Sequence, residues 1–369
     1  MMTNKISLKI MGVSILTLSI IISLGIISLN TVHAQQVTIN GAGATFPFPL
    51  IDTWRVEYQK VNPNVNINYA SIGSGGGIKQ FAENTVDFGA TDAPLSKAES
   101  AKAVNPVHIP ETIGSVVLSY NIPELSGTSL KLSGPVLANI YLGKITKWDD
   151  PAIKQLNPGA NLPSNPITVV HRSDGSGTTF VFTDYLSNVS PEWKSKVGSS
   201  KSVQWPKGIG APGNEGVSAS ISGSKYSIGY VELAYALTTK MNFASLQNKE
   251  GNFVLPTVNT TKAAVESSAP TLPKGDQPWT NVSLTNAPGQ SSYPISTFTY
   301  IILHKDLSSN PSMNNEKAKA ITDFLSWAIT DGQKFSQPLG YVPLPDVVVK
   351  INQETLGSLT FKGTPLLTK

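Results

Sequence analysis

The sequence predicts an α/β fold in two domains, and three observations carry that expectation. Short β-branched runs alternate with helical patterns, the rhythm of a sheet covered by helices. At 369 residues the chain is longer than a single core usually serves. With 40% apolar residues, 30 Gly and 26 Pro, it has material for a core and no low-complexity character. Strands are expected at Val37–Asn40, Val65–Ser71, Val86–Thr91, Val116–Ile122, Ile167–Arg172, Ile228–Tyr235 and Thr297–His304, with helices between them. The clearest helix runs from Asn315 to Gly332. There Ala318, Ile321, Phe324, Leu325 and Ala328 share one face, and Gly332 can cap the end. The Ser/Thr/Asn/Pro-rich stretch from Thr257 to Tyr293 is expected to be loops or an insertion.

The N-terminus sets the compartment. Lys5 and Lys9 precede an apolar run, Ile10–Leu29, and Val32 and Ala34 flank His33 as a cleavage site requires. Residues 1–34 are therefore an export signal, or an N-terminal anchor, since the run is long enough to span a bilayer. Either way the body is extracytoplasmic. Zero cysteines excludes disulfides, thiolate nucleophiles, zinc-cysteine sites and iron-sulfur clusters. Charged residues are only 14%, and removal of Lys5 and Lys9 takes the formal charge from +4 to +2. Nucleic-acid binding, which needs a dense basic stripe, is not expected. The sequons at Asn188, Asn259 and Asn281 read equally well as unmodified surface asparagines.

Three helix starts share one chemistry. In Gly41-Ala-Gly-Ala-Thr-Phe-Pro-Phe-Pro-Leu50, Thr45 suits an N-cap and Pro47 a first turn, leaving backbone N–H groups free. Tyr69-Ala-Ser-Ile-Gly-Ser-Gly-Gly-Gly-Ile-Lys-Gln-Phe81 reads as strand, Ser-Gly turn and helix, with the Ser74 hydroxyl at the turn. Val169-Val-His-Arg-Ser-Asp-Gly-Ser-Gly-Thr-Thr-Phe180 repeats that order and sets Arg172 beside Ser176, Gly177, Thr178 and Thr179. Each turn alone is more often a plain connection, whereas three together suggest an oxyanion cradle. No Lys follows the last Gly as in a nucleotide P-loop, and no dinucleotide Gly-x-Gly-x-x-Gly follows a strand. Asp92, at a strand end before Pro94, reads locally as an Asx turn or a helix cap. Facing an anion, it would instead accept a hydrogen bond from a protonated oxyanion and repel an unprotonated one such as sulfate.

With these residues in view, the chain resembles the phosphate-binding proteins of ABC-type phosphate importers. GAGATFPFPL, SIGSGGGIKQF, VDFGATDAPLS, YLGKITKWDDPAIKQLNPG, VVHRSDGSGTTFVFTDYL, QWPKGIGAPGNEGV, SIGYVELAYA and YVPLP stand in the family's order between about Thr38 and Asp346. The resemblance implies a two-lobed periplasmic-binding-protein fold (venus flytrap, type II) with two hinge strands, placed near Val116–Tyr120 and Thr297–Ile301. It puts residues 36–116 and 300–369 in one lobe and 117–299 in the other. It further implies inorganic phosphate as ligand, a membrane permease as partner, no cofactor or metal, and a monomer. The ligand residues it carries over are Thr45, Phe46, Ser74, Asp92, Arg172, Ser176, Gly177 and Thr178, with Asp174 paired to Arg172. Two places depart from the pattern: the SGGG run that begins at Ser74, where some relatives have a second serine, and His171. The tail after about Val349 is poorly covered.

The competing readings are an exported phosphatase-like enzyme, a phosphate-sensing receptor, and a binder of another oxyanion. Four histidines without metal-ligand spacing, and no Gly-x-Ser-x-Gly elbow, weigh against the enzyme. Trp148, Trp193, Trp205 and Trp327 read as packing residues. Asp149-Asp150 reads as a helix cap and not a calcium site. Asn214 and Glu215 read more readily as turn residues than as cleft lining.

Overall fold

The computed structural model describes residues 36–125, 129–267 and 272–367. The leader or anchor expected at 1–34 lies outside the described residues. Eight strands form one continuous path. They are β1 (Val37–Gly43), β2 (Val65–Ser71), β3 (Phe88–Thr91), β4 (Pro106–Asn121), β5 (Thr168–Arg172), β6 (Ile209–Ala211), β7 (Ser227–Glu232) and β8 (Ile295–His304). Their spatial order is β2-β1-β3-β8-β4-β7-β5-β6. β1 runs parallel to β2 and β3, and β7, β5 and β6 run parallel to one another.

Between these parallel sets lie the antiparallel strands β4 and β8. Residues 106–115 of β4 pair with β8, and residues 116–121 pair with β7. One strand thus belongs to two half-sheets, changing partner between Ser115 and Val116. The sequence showed only its second half, because Pro106 and Pro110 argue against a strand. Pro110 is accommodated at a register shift: Thr299 faces Thr112 while Tyr300 faces Pro110, which leaves Glu111 as the extra residue of a bulge.

Helices cover the sheet where their apolar periodicity predicts. α1 (Phe48–Val61) buries Leu50, Ile51, Trp54 and Tyr58 on one face. Its cap is Pro47 and not Thr45, whose hydroxyl is engaged elsewhere. The Asn315–Ala328 helix buries Ala318, Ile321, Phe324, Leu325 and Ala328 as expected but stops four residues short of Gly332. Gly332 does not cap it; its carbonyl accepts from Trp54 Nε1 at 2.8 Å, tying this helix end to α1. Asp150 caps the following helix through Ala152 N. The 257–293 stretch is more structured than its composition suggests. It carries the helix Val258–Glu266, started by a Thr257/Thr260 capping box. Trp148 and Trp193 are fully buried, and Trp205 and Trp327 pack partly buried against the core. Among the described residues no helix is long and apolar enough to cross a membrane.

Candidate functional site

Four strands end at one place. Thr45 follows β1, Ser74 follows β2, Asp92 follows β3 and Arg172 closes β5, so the carboxyl ends of strands from both half-sheets converge. Gly43 makes the first approach possible, since a Cβ there would stand 2.1 Å from the Ala90 carbonyl oxygen.

After Gly43 the backbone is held by phenols. Tyr69 donates to Ala44 O at 2.7 Å, Tyr235 to Thr45 O at 2.6 Å and Tyr341 to Phe46 O at 2.6 Å. With three successive carbonyls tied back, the N–H groups of Thr45 and Phe46 donate to no described group. They are available to an anion.

Across from this turn stands the helix α2 (Ser74–Ala82), and against it the helix Gly177–Val189. The Ser74 hydroxyl accepts from Gly177 N at 3.0 Å and from Asp92 N at 3.3 Å, and Gly75 N donates to Gly175 O at 2.8 Å. Ser176 caps the second helix by accepting from Thr179 N at 3.0 Å. Two helix starts thus face each other, each with the partial positive charge of its N-terminus.

Arg172 is 3% exposed and supplies the full positive charge. Its Nε and Nη2 donate to Asp174 at 2.8 and 2.5 Å, the pairing that the family resemblance implied. Nη1 is left for the cradle, 3.2 Å from Thr45 Oγ1 and 3.4 Å from Thr178 Oγ1. Burial would raise the Asp174 pKa, but the Arg172 hydrogen bonds outweigh it and hold the carboxyl below its ordinary value. His171 stacks on Trp205 outside this cluster.

Asp92 is neither an Asx turn nor a cap, because Ser96 and Glu99 form the capping box of the next short helix. Its side chain is 1% exposed and accepts from Thr178 Oγ1 at 3.3 Å and Thr299 Oγ1 at 3.2 Å. Burial raises its pKa to about 7, against the pull of Arg172 and the two hydroxyls. The turn carrying it is fixed by His108, whose Nε2 accepts from Leu95 N at 3.0 Å. Burial lowers the His108 pKa to about 4, so the ring is a neutral acceptor.

All nine predicted positions therefore come together. Sequence reasoning missed Asn214, which it favoured as a turn residue. Asn214 is fully buried, and its amide donates to Thr45 Oγ1 at 2.8 Å and Thr178 Oγ1 at 3.3 Å while accepting from Glu232 N. It clamps hydroxyls from the two sides to each other. Glu215 does reach the rim, where its carboxylate accepts from Ser71 Oγ and lies 2.9 Å from Tyr235 Oη, whose hydrogen is shared with the shorter contact to Thr45 O.

Known proteins resemble this chain in sequence and fold. The model of the PBP superfamily domain matches residues 30–332. The chain is 49% identical over 316 residues to the phosphate-binding protein PstS of Pasteurella multocida, covering 86% of this chain and 89% of that one. It is 43% identical over 336 residues to PstS of Methanocaldococcus jannaschii, with 87% and 86% covered. Among solved structures, it matches a periplasmic phosphate-binding protein bound with phosphate (PfluDING), with a TM-score of 0.66 at 20% identity and 90% and 100% covered. The phosphate-binding protein of Stenotrophomonas maltophilia gives 0.65 at 21%, with 88% and 99% covered. These structures establish the two-lobed periplasmic-binding-protein fold. On the family model and the identities together, the chain belongs to the PBP superfamily and, within it, to the PstS phosphate-binding proteins.

Proposed function

We propose that this protein captures inorganic phosphate outside the cytoplasm and delivers it to the permease of an ABC phosphate importer. The observation that carries the reading is the buried Asp92 acceptor set opposite Arg172 in a cradle of hydroxyl and amide donors. A phosphate oxygen that keeps its proton donates to Asp92, and the other oxygens accept from the cradle. The donors are Nη1 of Arg172, the hydroxyls of Thr45, Ser74, Ser176 and Thr178, and the N–H groups of Thr45, Phe46, Gly177 and Thr178; as the anion enters, Gly177 N turns to it from Ser74 Oγ and the Thr178 hydroxyl from Asp92 Oδ2. Sulfate brings no proton for Asp92 and meets an uncompensated carboxylate. Ser176 is a cap whose hydroxyl accepts from Thr179 N, and its part here is to bind the anion and not to attack it.

The lobes are residues 36–116 with 300–369, and 117–299. β4 and β8 connect them and serve as the hinge, and phosphate bound to one lobe draws the other over it. The protein acts as a monomer, exported by its N-terminal segment or held by it at the membrane surface.

Calorimetric titration with phosphate and then sulfate, after unfolding and refolding to strip carried-over anion, tests the reading. One-to-one phosphate heat with none from sulfate is the expected result; a folded protein giving no phosphate heat overturns it. Asp92→Asn is expected to weaken phosphate by about tenfold to a hundredfold, and to let sulfate bind measurably, since the amide can donate where the carboxylate only accepted. Unchanged selectivity in that variant would remove the discriminating role from Asp92.

A further inference from the structure

Behind Asp92 lies a second buried carboxyl with no assigned role. Glu111 is 1% exposed and is the bulge residue of β4, which turns its side chain toward β8. There Thr299 Oγ1 stands 3.1 Å from Glu111 Oε1 and 3.2 Å from Asp92 Oδ1, with Thr91 O farther at 3.5 Å. Glu111 Oε2 is buried without a partner.

A hydroxyl has one hydrogen to donate, so Thr299 cannot serve two ionised carboxylates. One of the two must hold a proton and give it to Thr299. The surrounding charges decide which. Arg172 at the end of β5 acts on Asp92, whereas no cation among the described residues acts on Glu111. The other titratable groups that act on the pair are Glu232 at the end of β7 and the phenols Tyr69 and Tyr341, and none of them brings a positive charge. Burial, then the charge of Asp92, push the Glu111 pKa up to about 8 despite the Thr299 hydrogen bond.

We propose that Glu111, in its protonated form, is a positioning residue for phosphate selection: it donates to Thr299, which turns the Thr299 hydrogen onto Asp92 Oδ1 and leaves Oδ2 as an ionised acceptor for the ligand. When Glu111 ionises, it takes the Thr299 hydrogen for itself and sets a second negative charge behind Asp92. Phosphate binding weakens in consequence. This inference rests on the phosphate reading above.

The test is a pH series of phosphate titrations on the full chain, comparing wild type, Glu111→Gln, Thr299→Val and the double variant. The glutamine amide donates to Thr299 as the protonated acid does but cannot ionise. The wild type is expected to lose about tenfold in affinity relative to Glu111→Gln between pH 7 and 9, as a proton held near pH 8 is lost. In the Thr299→Val background the pH-dependent difference should shrink to what the Glu111 charge alone produces, a result that loss of packing does not give, and a difference of the same size in both backgrounds overturns the relay. A wild-type to Glu111→Gln ratio that is flat across the series overturns the inference while leaving phosphate capture intact. A wild type that binds no phosphate at pH 7 overturns capture and this inference with it. If Glu111→Gln fails to fold, infrared titration of the wild type decides. An un-ionised carboxyl stretch that bleaches with the same midpoint as the affinity loss supports the relay, and its absence at pH 7 refutes it.

Discussion

Arg172→Ala is expected to lower phosphate affinity by at least about a thousandfold, near 4 kcal/mol. The guanidinium sits at the centre of the cradle, aimed by Asp174 on one side and reaching Thr45 and Thr178 on the other. Its removal takes away the full positive charge that offsets both a phosphate dianion and the buried Asp92. It also leaves Asp174 without its partner. Breaking a fully buried ion pair costs about 3–5 kcal/mol of stability, but the Asp174 side chain is 23% exposed. Water can therefore hydrate the orphaned carboxylate, and the folding penalty falls at or below the low end of that range. Arg172→Lys separates charge from geometry: the ammonium keeps the charge but cannot hold Asp174 with two parallel bonds and reach Thr45 with a third nitrogen. Lysine is expected to recover only part of the loss. Titration calorimetry with denaturant unfolding of the three proteins checks both quantities, and phosphate binding by Arg172→Ala within tenfold of wild type would refute the cradle.

The parts of this site legible in the sequence were those whose cause is local. A β-branched run followed by Gly-Ser or Gly-Ala-Thr marks a strand end and a helix start, whereas the pairing of Arg172 with Asp174 came from the family resemblance and not from the local spacing. Thr45 was placed in the right region for the wrong reason: its hydroxyl caps no helix because Arg172 and Asn214, distant in the chain, engage it. The tyrosines that tie back the carbonyls of Ala44, Thr45 and Phe46 come from three separate segments, and nothing near those carbonyls announces them. Glu111 is the clearest case. Its inward orientation depends on a bulge between strands 188 positions apart, so no window of sequence contains its cause. The same holds for β4 as a whole. Its prolines argue locally against a strand, and only the partner strand shows where the irregularity is absorbed.

Gly177→Ala is expected to weaken phosphate binding severely with little cost to folding, and the contrast with Arg172 is the informative part. Gly177 opens the Gly177–Val189 helix, where alanine is the better helix former by up to about 1 kcal/mol. Its own helix therefore accepts the methyl. The facing segment does not: a Cβ at 177 would stand 2.6 Å from Asp92 Oδ2 and 2.6 Å from Ser74 Oγ. Both atoms are fixed. Ser74 Oγ accepts from two backbone N–H groups, and Asp92 is held between Thr178 and Thr299. The collision exists only while the two helix starts are together, so the chain relieves it by parting them and leaves each half-sheet packed as before. Affinity should fall at least about a hundredfold, near 3 kcal/mol, matching the upper range for overpacking a well-fitted contact. The melting temperature measured without phosphate should stay within a few degrees of wild type or rise. Small-angle scattering in saturating phosphate should show a compact wild type and a more extended variant. A variant as compact as the wild type, and binding phosphate equally well, would mean that Ser74, Asp92 and Gly177 do not close on the ligand together.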